Sequence, residues 1–130
     1  MQNTKKDNLS SSMIINKILI AYKKWQLIQK DIPKINRYSL GVKIDIYFIN
    51  ILEMINYAQF GEKKTLYLEK VIVQNNILKN LLLILLEINS ISQEKYIDIC
   101  KDLEELGKMA YSWKNKTINQ KSINGNKSII

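Results

Sequence analysis

Ile32-Pro33-Lys34-Ile35-Asn36-Arg37-Tyr38-Ser39-Leu40-Gly41 decides how this chain is organised, because it interrupts two helical patterns with the only Pro and the only Arg in the sequence. The residue before a proline resists the α conformation, so Asp31-Ile32-Pro33 ends one helix and sets up another. Upstream, Ser10-Ser11-Ser12 offers N-cap oxygens to a first helix over residues 12–30. At 100° per residue, Ile14, Ile18, Ala21, Trp25 and Ile28 share one narrow stripe of that helix. Lys23 and Lys30 point the opposite way, and Lys17 and Lys24 flank the stripe.

Downstream, a second helix starts near Ser39 and reaches residues 57–60, and it carries two apolar stripes. Leu40, Ile44, Tyr47, Ile51, Ile55 and Ala58 form the first. Val42, Ile46, Ile49, Tyr57 and Phe60 lie on the far side, interrupted by Glu53. Gly61 closes this helix in the C′ manner, and a third begins almost at once, so the two form an antiparallel hairpin. The third helix, residues 62–89, spans about 40 Å. Its polar residues Glu69, Asn76, Asn80 and Glu87 share one line, and Leu, Ile and Val cover most of the remainder.

Ser90-Ile91-Ser92 reads as a turn with a cap, and a fourth helix follows to Lys116. Tyr96, Ile99, Cys100, Leu103, Leu106, Gly107, Ala110 and Trp113 line its inner side. Asp98, Lys101, Glu104, Glu105, Lys108 and Ser112 line the outer. Residues 1–11 and 117–130 are polar and are expected to be disordered. Short connections between four helices predict an all-α, antiparallel up-down four-helix bundle in one domain, residues 12–116.

Composition narrows the chemistry. With no His and one Cys, the chain has neither an imidazole base nor a Cys-based zinc site. Gly41, Gly61, Gly107 and Gly125 are isolated, so no phosphate-cradling loop is present. Glu69 and Glu87 lack the Glu-x-x-His partners of a di-iron bundle, and Glu104-Glu105 reads as a solvated face. Cys100 reads as core. The expectation is a protein that is not an enzyme and uses no metal or cofactor. A lone cysteine fits a reducing compartment, and no run approaches the roughly 20 apolar residues of a membrane span, so a cytoplasmic location is expected.

The basic balance, +8 with a pI near 9.5, points to an anionic partner such as nucleic acid. Part of it reflects a sequence rich in Ile, Asn and Lys, as AT-rich coding produces. Nineteen of the 20 basic residues are Lys. The candidate phosphate contacts are Lys17, Lys23, Lys24, Lys30, Lys34, Arg37 and Lys43, set against one acid (Asp31), with Lys63 and Lys64 as a second corner. Arg37 has a competing reading in which it caps the first helix or pairs with a carboxylate. No aromatic interleaving argues for base stacking. Tyr38 and Trp113 read as core anchors.

The two stripes of the second helix set another expectation. One stripe suffices for burial in a bundle, and each wet Leu or Ile forfeits about 1.5–3 kcal/mol. Val42, Ile46 and Ile49 therefore mark an interface with further copies of the chain.

Pro33-Lys34-x-x-Arg37-Tyr38-Ser39-Leu40-Gly41, Ala58, and Gly107-Lys108-Met109-x-x-x-Trp113 together resemble the Avd family, the accessory variability determinant proteins of diversity-generating retroelements. The resemblance covers residues 12–116. It implies a bundle assembled as a homopentameric barrel, whose basic surface binds the retroelement's reverse transcriptase and its RNA or RNA/cDNA during error-prone cDNA synthesis. The wider group of small four-helix-bundle proteins encoded in ribosomal RNA intervening sequences shares Arg-Tyr-Ser-Leu-Gly but continues into an Asn-Ile-Ala-Glu-Gly-type sequence. Here Met54-Ile55-Asn56-Tyr57-Ala58-Gln59 lacks that Glu-Gly. A self-associating bundle of that type, with no polymerase partner, is the alternative, and a binder of one protein target is a third.

Overall fold

A computed structural model describes the backbone of residues 2–129 and the side chains of residues 9–123. Helix α1 (Gln2–Asp31) ends where Pro33 requires. Helix α2 opens as one turn, Lys34–Asn36, widens into a π-helical turn at Arg37–Gly41, and continues over Val42–Phe60. Helices α3 (Lys64–Glu87) and α4 (Gln93–Ile129) complete the chain. Among the described residues there is no strand. Each helix packs on the next and α4 returns onto α1, which closes a ring of four around one core.

The stripe read for α1 is the buried one: Ile14, Ile18, Ala21, Trp25 and Ile28 all face the core. On α2, Ile44, Ile51, Ile55 and Ala58 are buried, whereas Leu40 and Tyr47 are only half-buried. Phe48 belongs to neither stripe and is nevertheless a centre of the core. Its ring stacks on Trp25 at 6.5 Å and meets Tyr22 edge-on at 5.4 Å. Tyr22 in turn donates its hydroxyl to Asp45 Oδ1 at 2.8 Å.

The helix ends explain themselves from local chemistry. Helix α2 starts at Lys34 rather than near Ser39. Proline's ring holds φ at −52°, and the amides of Asn36 and Arg37 both donate to the Pro33 carbonyl, at 3.0 and 2.9 Å. Helix α3 ends in a Schellman arrangement: Ser90 N–H donates to Leu85 O and Asn89 N–H to Leu86 O. Asn89 supplies the left-handed residue, φ 59°. Ser92 then caps α4, its Oγ accepting from the Lys95 amide at 3.2 Å.

Gly61 does not close α2 in the expected C′ manner. It is extended, with φ −95° and ψ 170°, and its amide donates to Tyr57 O. Glycine is needed there because a Cβ would lie 2.6 Å from that same carbonyl oxygen. Helices α1 and α4 also run past the ends at 12 and 116 read from the sequence. Ser11 is buried and donates to Gln59 Oε1, and the buried Thr117 hydroxyl donates to the Trp113 carbonyl. Of the segments 1–11 and 117–130 expected to be disordered, the side chains of residues 1–8 and 124–130 lie outside those described.

Two buried polar side chains organise α4. Asn75 donates its amide to Leu103 O at 2.8 Å, and a Cβ on Gly107 would meet that amide at 3.1 Å. Gly107 thus makes room for a polar tie between α3 and α4. Asp102 is buried on the α1 side and receives Lys24 Nζ at 2.7 Å, with Lys17 Nζ at 3.7 Å.

Candidate functional site

The corner between α1 and α2 carries the motif residues. Arg37 reaches back across the turn, its Nη2 donating to Lys30 O at 2.8 Å and Ile32 O at 3.0 Å. Those carbonyls belong to the end of α1 and the turn after it, where helix partners run out, so the guanidinium serves as a C-terminal cap. Asn36 fastens the same corner to the α3–α4 loop through Ser90 Oγ at 2.8 Å. Ser39 folds its hydroxyl onto Ile35 O at 3.0 Å inside the π-helical turn. Gly41 is buried, yet a Cβ there would meet only ordinary contacts, from 3.6 Å outward.

Tyr38 is not a core anchor. It stands 72% exposed, next to Ile35 at 81%, because α2 begins before it and turns its side chain outward. Trp113 is buried at 2%, as expected of an anchor. The same stretch of chain that holds the exposed Tyr38 ring also carries Lys30, Lys34 and Lys43, all of them exposed. Sequence spacing did not separate Tyr38 from the core, since the half-buried Leu40 and the buried Gly41 follow it closely.

Eight of the nine candidate phosphate contacts fall into three groups, and the ninth, Arg37, is engaged as the cap on the Lys30 and Ile32 carbonyls. Lys23, Lys30, Lys34 and Lys43 are exposed around the corner or on the outer face of α1. Lys17 and Lys24 are turned into the α1–α4 seam. Lys17 pairs with Glu105 and lies near Asp102, and Lys24 bridges Asp98 at 3.0 Å and Asp102 at 2.7 Å. Lys63 and Lys64 sit at the far end of α2, about 25 Å along the axis from Lys43.

These ion pairs set the local protonation. The hydrogen bond to Glu105 raises Lys17 above its ordinary value, and bonds to Asp102 and Asp98 raise Lys24. The same contact with Lys17 lowers Glu105, and Lys79, 2.6 Å away, lowers Glu104. Burial pushes the half-buried Cys100 thiol up, so it stays protonated and behaves as a small apolar side chain. Among the described residues no cluster of His, Cys, Asp and Glu is arranged to hold a metal ion, and no helix is long and apolar enough to cross a membrane.

The second stripe of α2 is exposed along its length. Val42, Ile46 and Ile49 retain 47, 49 and 46% of their surface, and Tyr57 and Phe60 continue the line. On the neighbouring helices Leu19, Ile20, Leu27, Leu66 and Val73 are exposed as well. Scattered exposed apolar residues are ordinary; a stripe along one helix is the pattern of an unpartnered face. Comparison with protein-family models, curated proteins and solved structures yields no match.

Proposed function

We propose that this chain is a non-catalytic, Avd-like accessory protein of a diversity-generating retroelement. Copies assemble, as a homopentameric barrel by that resemblance, through the outer face of α2. The basic corner then binds template RNA beside the reverse transcriptase and supports mutagenic cDNA synthesis. The observation that carries this reading is that one helix bears both features: the exposed stripe Val42, Ile46, Ile49, and the exposed Lys34, Tyr38 and Lys43 near its start. Association through the stripe repeats the cluster in every copy, so individually weak phosphate contacts add.

RNA affinity is expected to fall steeply with salt, and Lys34→Glu/Lys43→Glu to flatten the salt slope by about two contacts. The reverse transcriptase encoded alongside is expected to co-purify. Absence of RNA binding at low salt removes the RNA part of the reading.

The second reading, a self-associating bundle without a polymerase, gains support from Lys17, Lys24 and Arg37, which are engaged within the fold. Gene neighbourhood separates the two. A reverse transcriptase gene with a template/variable repeat pair favours the first, and a position inside a ribosomal RNA gene favours the second.

A further inference from the structure

The seam between α1 and α4 changes chemistry halfway along. Toward the middle of α4 it is shut by ion pairs, Lys24 to Asp98 and Asp102, and Lys17 to Asp102 and Glu105. Past Glu105 the seam opens into a groove with a cavity of about 450 Å³ and an adjoining one of about 260 Å³. Leu9, Met13, Met109 and Trp113 line it, and Lys108 and Lys116 stand on its rim. From residue 106 to the end the sequence contains no Asp or Glu, and the nearest carboxylates along α4, Glu105 and Glu104, are paired with Lys17 and Lys79 while also feeling the charge of Lys108.

We propose that this groove is a docking site for an acidic amphipathic helix of a partner protein. The closed half of the seam shows carboxylates facing lysines, and among the described residues past Glu105 the open half has lysines and an apolar floor without a carboxylate. An incoming helix with apolar residues at i, i+3, i+4 and i+7, flanked by Glu or Asp, supplies both. Two methionines in the lining fit that role, because their unbranched side chains adapt to the knobs of another helix. A nucleic-acid strand makes no use of an apolar floor, and Trp113, 2% exposed, is unavailable to stack a base. This site is separate from the α1–α2 corner and does not depend on the RNA reading.

The test uses the full chain and a fluorescein-labelled synthetic peptide of alternating Leu and Glu at helical spacing, followed by fluorescence anisotropy. A matched peptide with Gln for Glu and a single-stranded RNA oligonucleotide serve as competitors. The acidic peptide is expected to bind at least about tenfold tighter than its Gln counterpart. Lys108→Glu/Lys116→Glu and, separately, Met13→Glu are each expected to weaken it by about tenfold or more, while Lys34→Glu/Lys43→Glu leaves it unchanged. All of these positions are exposed, and circular dichroism checks that the variants remain helical. Equal binding of both peptides, indifference to the groove variants, or displacement by RNA with loss in the Lys34/Lys43 variant would each overturn the proposal.

Discussion

Arg37 is held by the backbone carbonyls it caps, so its removal acts on the fold before it acts on any ligand. Arg37→Ala is expected to cost about 1–3 kcal/mol, read from the urea midpoint, because the Lys30 and Ile32 carbonyls lose their partner. Arg37→Lys should recover little of it, since a single ammonium cannot reproduce the planar fork. Asp102 is the other residue on which neighbours depend. Asp102→Ala leaves Lys17 and Lys24 near each other without the shared carboxylate, and a loss of about 1–3 kcal/mol is expected in the same measurement. Both roles have a trace in the sequence. Asp102 falls three residues after Ile99 and four before Leu106, on the covered side of α4, and a carboxylate there needs a cation; Lys17 and Lys24, seven apart, sit on the flank of α1 that supplies it. Asn75 likewise lies on the line Val71, Leu78, Leu82 that faces the core. Tyr38 was not legible in this way, because its orientation is set by a π-helical turn that departs from the 100° step.

At the scale of the helices, the buried stripes of α1 and α4 follow directly from spacing, since each of those helices has a polar face that fixes its orientation, while for α3 spacing places only the polar line. Helix α2 has almost none, and that is why Phe48 escaped assignment while Val42, Ile46 and Ile49 were placed on the outside. Val42→Asp or Ile49→Asp is expected to dissociate the proposed assembly while circular dichroism shows unchanged helicity, because both sites are solvent-facing within one copy. The α1–α4 seam adds a pH dependence. Glu105, lowered from 4.5, contributes stability that is complete above that value and lost as pH falls through its folded-state value. Lys17 and Lys24, raised from 10.5, contribute stability that is complete below 10.5 and lost as pH rises past their folded-state values. Thermal melts are expected to plateau between these limits and to fall on both sides, and Lys17→Met/Lys24→Met should shrink both declines.

The whole molecule is a closed ring of four helices around one core, with the second stripe of α2 exposed. The Trp25–Phe48 stack, the Asn75 tie and the capped turns hold a single copy together without drawing on the stripe of α2. That stripe, left wet, forfeits about 1.5–3 kcal/mol for each large side chain, and burying it against another copy multiplies the basic corner. Sedimentation equilibrium of the full chain at micromolar concentration tests this most directly. The expected result is a species several times heavier than the 15.2 kDa protomer, reduced to protomer mass by Ile49→Asp. A single folded species of 15.2 kDa would contradict it.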